Sequence, residues 1–405
     1  MYEANLNERK SYLDWPLLLA VLGLMAFGAA FIYSASIASD LVRTISWFKQ
    51  DYVKQIIWYE VGLACAIVLC LFDYRTLARW SIIGYWVSIS LLILVLIIGA
   101  GGASWGAKRW INMGFFQFQP SEFAKIGFIF MLGNFLSRPI EELRSQKAFL
   151  KALGMIALPF FLIMKQPDLG SALVFFPIGL LMMFIAGVPF RYLAKFVGGV
   201  TLLIILMLIN ILFVPAESRW QVIKLESYQR DRLLIYFGMD FAPRDATPEE
   251  RKKAKALQES RSYNVKQSLI SVGSGGLTGK GWRQGTQYSL GFLPRSVAHN
   301  DFIFSVIAEE KGFVGSVMVL TLYAVVLFSG IKIASQARDR LGTILAVGVV
   351  ALFFSHIFIN IGMNIRLMPV KGIPLPLLSY GGSSVLCSLI AIGILQNVHM
   401  YRRAY

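Results

Sequence analysis

Charge is what this chain has least of. Only 15% of its 405 residues are Asp, Glu, Lys or Arg, while 56% are hydrophobic. That charge is too little, and too unevenly spread, for a soluble protein of this length. Cysteine and histidine are scarcer still, with three of each. Cys65, Cys70 and Cys387 all lie inside apolar stretches. They make no metal-ligand spacing, and a disulfide framework is not expected. Nothing in the chain makes a Ser/His/Asp triad, a zinc site or a dinucleotide fingerprint. A cleavable signal is not expected either. Met1 to Asp14 is polar, and the apolar run after it is too long for a signal peptide.

The scarce charge is one-sided, at +16. In a soluble protein that excess would suggest nucleic acid. The interleaved basic and aromatic motifs of a nucleic-acid binder are missing, so nucleic acid is not an expected partner. Cytoplasmic loops rich in Lys and Arg, and contact with anionic headgroups, account for the excess. The same charge also suits an anionic, lipid-linked substrate.

What the chain does have is long apolar runs. Stretches of about 20 residues recur throughout, each able to cross roughly 30 Å of hydrocarbon. The expected fold is an all-α integral membrane protein, a single polytopic domain over 1–405. About ten transmembrane helices are read, near 15–35, 53–72, 80–100, 120–137, 149–165, 169–188, 191–215, 302–330, 341–364 and 380–400. Connections are short except for one long loop, 216–301, between spans 7 and 8. One set of loop cations comprises Arg9 and Lys10, Arg75 and Arg79, Arg138 to Lys151, Arg191 and Lys195, Lys332 to Arg340, and Arg402 and Arg403. It holds about 15 cations against about 8 in the opposite short loops, so it is cytoplasmic. Both termini then lie inside, in the cytoplasmic (inner) membrane topology, and the long loop is extracytoplasmic.

That orientation gathers the unusual residues on the outer side. In the long loop, Thr247-Pro248-Glu249-Glu250 reads as a capped helix start, and the helix that follows is polar on nearly all sides to Ser262. Tyr228 to Phe237 suits a helix at the membrane interface. Val272 to Trp282 is dense in glycine but lacks the spacing of a phosphate loop.

Polar residues at membrane depth need a reason. Glu122 and Lys125, three apart, share a helix face. They are either a structural ion pair or part of an outward-facing cavity, and the neighbouring Trp105, Lys108, Arg109 and Trp110 favour the cavity. Asp168 either caps the sixth helix or faces the same cavity. Asp301 either caps the eighth span or, partly desolvated at the bundle mouth, acts as a general base. Glu309 and Glu310 read as structural or mutually paired. Asn360 to Ser384 is a polar tract rich in Pro and Gly. It contains Arg366 and Lys371, which suit pyrophosphate, and Ser379. Such backbone is tolerated at membrane depth where it lines a cavity or is buried. His356 and His399 lie alone on apolar helices and read as core residues. The cofactor stays open. A divalent cation (Mg or Mn), if one takes part, would be held by carboxylates and substrate phosphates.

Together these motifs resemble the SEDS family (shape, elongation, division and sporulation). The resemblance rests on Lys108-Arg109-Trp110 with Gln119 to Lys125, Gln166 to Gly170, Gly275 to Trp282, Asp301 to Phe304 with Glu309 to Gly312, and Pro369 to Ser383. It covers nearly the whole chain. Gly372 to Pro376, Tyr228-Gln-Arg and Gly279 to Gln287 look more like the RodA elongation branch than the FtsW division branch. The chain departs from the family pattern just before the key carboxylate, where Arg295 to Asn300 replaces a shorter stretch containing Glu and Thr.

The resemblance implies a peptidoglycan glycosyltransferase that polymerises lipid II at the outer face of the membrane. It implies a catalytic role for Asp301 and substrate-binding roles for Arg109, Glu122, Lys125 and Asp168. Lys108, Trp105, Arg366, Lys371 and Ser379 join that set from the residue reading. The implied partners are a class B penicillin-binding protein transpeptidase and other membrane proteins of the elongation complex. The rival reading is a flippase for the same lipid-linked precursor, which also needs a polar cavity.

Overall fold

A helix that is apolar on every side cannot be left in water, and lipid is the solvent that accepts it. The computed structural model describes residues 12–37, 48, 50–99, 108–114, 117–214, 227–242 and 247–403. Trp105, the N-terminal cations and the first part of the long loop lie outside those residues. The main helices in chain order are α1 (Trp15–Ile37), α2 (Asp51–Cys70), α3 (Ser81–Ile98), α4 (Pro120–Leu136), α5 (Gln146–Met164) and α6 (Leu169–Ile185). There follow α7 (Phe190–Phe213), α8 (Ser227–Phe237), α9 (Pro248–Ser274), α10 (Ile303–Ser335), α11 (Arg340–Asn364) and α12 (Gly382–Met400). Among the described residues the only sheet is a short hairpin pairing Ile111–Asn112 with Gln117–Phe118.

Eight of these helices are long and apolar enough to cross a membrane: α1, α2, α3, α5, α7, α10, α11 and α12. The expected fourth and sixth spans, α4 and α6, are 17 residues each. Both carry polar residues near their N-termini. The chain is thus a multi-pass membrane protein. α11 and α12 are its most buried spanning helices and α7 its least. α12 packs along α2, and α10 lies between α1 and α11. Large apolar side chains such as Ile82, Trp86 and Ile97 point outward, a surface that only lipid can satisfy.

One expected span needs correction. The eighth does not run unbroken from 302, because Gly312 has φ 63° and ψ −157°, a backbone conformation open essentially only to glycine. The segment Ile303 to Lys311 is therefore a separate helix, and the apolar span begins at Phe313. A helix break frees backbone groups that must find partners. The glycine-dense loop supplies them. Lys280 and Gly281 N–H groups donate to the Glu309 and Glu310 carbonyls at 3.0 Å each, and Phe313 N–H donates to the Gly276 carbonyl at 2.9 Å. A Cβ at Gly279 would sit 2.2 Å from the Glu310 carbonyl oxygen, so the approach requires glycine.

The break gives a testable stability effect. In Gly312→Ala the new Cβ meets the Gly279 nitrogen at 2.4 Å, and backbone strain alone costs about 1–3 kcal/mol. The Tm in detergent should fall. Gly84→Ala, in a helix interior where the new Cβ meets nothing within 4 Å, should leave it unchanged or raise it. Equal Tm values for the two variants would refute this account of the break.

The elements of the long loop follow local chemistry. Thr247 and Glu250 form the expected capping box, with Thr247 N–H donating to Glu250 Oε2 at 2.9 Å. The helix it starts is longer than expected, continuing to Ser274. Ser262, Ser268 and Ser271 are buried, and its later part packs on α10. α8 lies against the connector after α11, where Tyr236 Oη donates to the Leu367 carbonyl at 3.0 Å.

Candidate active site

Asp301 sits in the turn between the short helix Arg295–Ala298 and α10. It does not cap α10. Phe302 holds that position, and no side chain caps the helix. The turn is held through its main chain instead. The carbonyls of His299, Asn300 and Asp301 accept from Tyr380 N–H at 2.9 Å, Ser379 Oγ at 2.6 Å and Asn360 Nδ2 at 3.0 Å, respectively. Asn364 Nδ2 also donates to the Asp301 carbonyl, at 3.1 Å. Among the described residues nothing donates a hydrogen bond to the Asp301 carboxylate. Burial pushes its carboxyl up to about 6, Asp168 adds to that push, and the Arg232 and Arg109 guanidinium groups oppose it.

Asp168, Arg109 and Arg232 act on this half-buried carboxylate by charge, and Lys371 precedes Gly372, whose Cβ would lie 3.4 Å from Asp301 Oδ2. Asp168 caps α6, accepting from Ser171 N–H at 3.1 Å and Ser171 Oγ at 2.9 Å. The capping role and the nearness to Asp301 both hold. Arg109 Nε donates to the Gln166 carbonyl at 3.3 Å, and its guanidinium also reaches the Pro167 carbonyl, which ties it to the same turn. Lys371 comes from the Pro/Gly tract. A Cβ on Gly170 would lie 2.7 Å from the Lys371 carbonyl oxygen, so the tract lies against the start of α6. Burial holds the Lys371 ammonium down to about 8, and the charge of Arg232 adds to that effect.

Arg232 is the residue that sequence reasoning missed. It appeared there only as one charge of an interfacial helix. In the structure Arg232 Nη1 donates to the Val370 carbonyl at 3.0 Å. Its charge acts on both Asp301 and Lys371.

Glu122 and Lys125 form a second, deeper group. Their Oε1–Nζ distance is 2.7 Å and their side chains are 4% and 1% exposed. His356 was read as lying alone, and here the structure corrects that reading. Its Nε2 is 2.9 Å from Lys125 Nζ and its Nδ1 is 3.3 Å from the Pro374 carbonyl. A carbonyl and an ammonium fix the tautomer: Nδ1 carries the hydrogen and Nε2 accepts. The tract 371–374 thus links the two groups, touching the Asp301 cluster at one end and the buried pair at the other.

The remaining candidates separate from both. Lys108 is exposed. Arg366 is exposed and turned toward α8, where its Nη2 donates to the Ile235 carbonyl at 3.3 Å. Ser379 is 1% exposed and its hydroxyl is spent, donating to Asn300 and accepting from Leu375 N–H at 2.8 Å. It lies beneath the site and supports it. Glu309 and Glu310 are structural but not paired with each other. Glu309 accepts from Lys280 Nζ at 2.6 Å and Thr286 N–H at 2.7 Å. Glu310 accepts from Ser34 Oγ at 2.5 Å and from Tyr288 Oη.

Among the described residues no three His, Cys, Asp or Glu side chains converge on a metal position. Each Asp168 oxygen accepts one hydrogen bond from Ser171, and a cation at Asp301 would take further ligands from substrate phosphate. A cavity of about 460 Å³ lies between α6, α7, α10 and α11, lined by Phe184, Phe190, Leu327 and Phe354 among others. It shares no residue with either polar group.

The chain is similar to known proteins over nearly all its length. The cell cycle protein family of FtsW, RodA and SpoVE matches residues 15–404. Peptidoglycan glycosyltransferase MrdB of Escherichia coli K12 is 34% identical over 394 residues, 97% of this chain and 95% of that protein. The probable peptidoglycan glycosyltransferase FtsW of Geobacter metallireducens is 32% identical over 400 residues, 98% of this chain and 97% of that protein. A chain from a solved peptidoglycan synthase complex, in which polymerisation and crosslinking are structurally coordinated, superposes with a TM-score of 0.75. It is 27% identical, and the match covers 97% of this chain and 99% of that one.

Proposed function

The chain belongs to the FtsW, RodA and SpoVE family and is a peptidoglycan glycosyltransferase, and from that premise we propose that Asp301 is its general base. The observation that carries this reading is a carboxylate, burial-shifted to about 6, set beside Arg232, Arg109 and Lys371 at the mouth of the bundle. The substrate is lipid II, a disaccharide-pentapeptide on undecaprenyl pyrophosphate. Asp301 takes the proton of the acceptor's 4-hydroxyl as that oxygen attacks C1 of the donor sugar. The bond from C1 to the pyrophosphate oxygen breaks, C1 inverts, and the electron pair leaves with undecaprenyl pyrophosphate. Charge grows on the leaving group in the transition state, so fixed cations stabilise it more than they stabilise the ground state. Arg232, Arg109 and Lys371 supply them.

The buried Glu122–Lys125–His356 group acts one layer below. Through the Pro374 carbonyl it holds the tract that carries Lys371. Both termini are cytoplasmic, a reading supported by the Lys and Arg excess in one set of loops. Relatives of both branches align over nearly the whole chain. The elongation assignment is supported by the Gly372 to Pro376 and Gly279 to Gln287 stretches. A class B penicillin-binding protein transpeptidase is the expected partner. The similarity to a chain of a complex that couples polymerisation to crosslinking supports it.

The rate should be bell-shaped in pH. A base must be ionised, so kcat/KM falls as pH drops through about 6 and Asp301 gains its proton. A pyrophosphate-binding ammonium must be protonated, so it falls again as pH rises through about 8 and Lys371 loses its charge. Initial rates of glycan formation by the purified protein in detergent measure both limbs. A flat profile through pH 6 would remove Asp301 as the base.

A further inference from the structure

The Asp301 carboxylate has no hydrogen-bonding partner of its own among the described residues, yet a general base must be placed to within a fraction of an ångström. Misplacement by about 1 Å can cost on the order of 10²-fold in rate. Its position must therefore come from the main chain. Among the described residues no backbone N–H reaches the Asp301 carbonyl. Two side-chain amides do, one turn apart on α11: Asn360 at 3.0 Å and Asn364 at 3.1 Å.

The orientation of these amides is determined. Asn360 donates to the Asp301 and Ile373 carbonyls, and Asn364 donates to the Asp301 and Asn360 carbonyls. Carbonyls only accept, so each amide must present its NH₂ there. Asn364 Oδ1 is then left to accept, and Ser305 Oγ of α10 reaches it at 2.5 Å and Ser268 Oγ of α9 at 3.3 Å. The two hydroxyls are 2.6 Å apart. Asn360, Asn364, Ser268 and Ser305 are all 0% exposed. A buried, fully connected polar node of this kind is rigid, because any rotation leaves a polar group unpaired in a low dielectric.

The same face of α9 reaches the cation side of the site. Arg261 lies seven residues before Ser268, two turns and about 10 Å along the axis. It pairs with Asp231, the neighbour of Arg232 on α8. Gln258, one turn earlier, donates to the Met239 carbonyl at 3.1 Å beyond the end of α8.

We infer that Asn360 and Asn364 are positioning residues for Asp301, acting through its carbonyl, and that α9 is a strut fixing the separation between the base and Arg232. Ser268 anchors one end of the strut and Arg261 the other. The inference rests on the reading of Asp301 as the base. It adds that catalysis depends on side chains that touch neither substrate nor the reacting atoms.

Asn364→Leu keeps the number of side-chain heavy atoms and removes the whole amide. In purified full-length protein with lipid II, kcat should fall about 10²-fold while KM changes less than about threefold. The acid limb of the pH profile should also move below 6, because a loosened carboxylate is less buried. The charged groups around Asp301, namely Asp168, Arg109, Arg232 and Lys371, are untouched by the change, and His299 faces Asp51 at 3.9 Å. A merely structural role would lower the active fraction and leave the limb where it was. Ser305→Ala keeps the amide but removes the nearer of the two hydroxyl donors to its oxygen. It should shift the limb in the same direction by a smaller amount, which keeps the test open if Asn364→Leu does not fold. Full activity in both variants, or lost activity with an unmoved limb, overturns the inference. Wild-type polymerisation by Asp301→Asn would overturn the underlying base assignment instead, so the two failures are distinct.

Discussion

Asp301→Asn is expected to lower the rate of glycan formation by about 10²–10⁴-fold, the range for losing a positioned general base. Asn has the shape of Asp and cannot accept the hydroxyl proton. The effect should be purely chemical. The carboxylate is without a hydrogen-bonding partner among the described residues, so its loss orphans no buried donor. Its carbonyl, which the fold does use, is unchanged. The carboxyl holds its proton more tightly in the folded protein than in an unfolded chain, with burial raising it to about 6. Folding is therefore favoured by that group at low pH, and the advantage is lost as pH rises from the ordinary carboxylate range through 6. At neutral pH the ionised carboxylate is a cost that Asn removes, so the Tm of Asp301→Asn should equal or exceed that of the wild type. Polymer formation in detergent is the deciding measurement, because detergent offers no second compartment and flipping cannot register. A variant that polymerises lipid II at the wild-type rate would end the assignment.

The second large effect concerns folding. Lys125→Met should destabilise the protein by about 3–5 kcal/mol, because it leaves the Glu122 carboxylate buried without its counter-charge. It also strips His356 Nε2 of its donor. The Glu122→Leu/Lys125→Met double variant should recover most of the loss, since well-packed apolar side chains often replace a buried pair at no net cost. Thermal unfolding of the three proteins in detergent separates the cases. A single variant as stable as the wild type would show that the pair is not held in a low-dielectric interior. A double variant that is stable but inactive would show that the group serves catalysis and not only folding.

Much of this was readable from residues alone. Lipid accepts only apolar windows of sufficient length, so the starts of α1 at Trp15, α11 at Arg340 and α12 at Gly382 lie within two residues of the expected edges. Asp301, Asp168, Arg109 and Lys371 interrupt that apolar pattern on one side of the membrane, which is why they could be grouped. The break at Gly312 was not visible. The apolar run reads on from 302 through Glu309, Glu310 and Lys311, and its partner loop reads only as dense in glycine, because glycine serves any close backbone approach. Arg232 was hidden for the opposite reason: a charge on an amphipathic helix is ordinary there, and only the fold brings it over Asp301. His356 seemed isolated because its neighbour Lys125 is 231 residues away in sequence. Asn360 and Asn364 did carry a signal, as two amides one turn apart on an otherwise apolar helix.

The Gly312 break also bears on how the chain enters the bilayer. An acidic side chain near the centre of an inserting helix costs about 2.5–3.5 kcal/mol. Were Ile303 to Ser335 one straight span, Glu309 and Glu310 would be carried in with it. With the turn at Gly312, the segment that must partition into hydrocarbon starts at Phe313 and bears no charge before Lys332. In the folded chain the two glutamates are paired with Lys280, Ser34 and Tyr288, all from earlier in the sequence. The segment is thus divided into an apolar length suited to insertion and a polar length docked on the preceding loop, and the glycine is the seam between them.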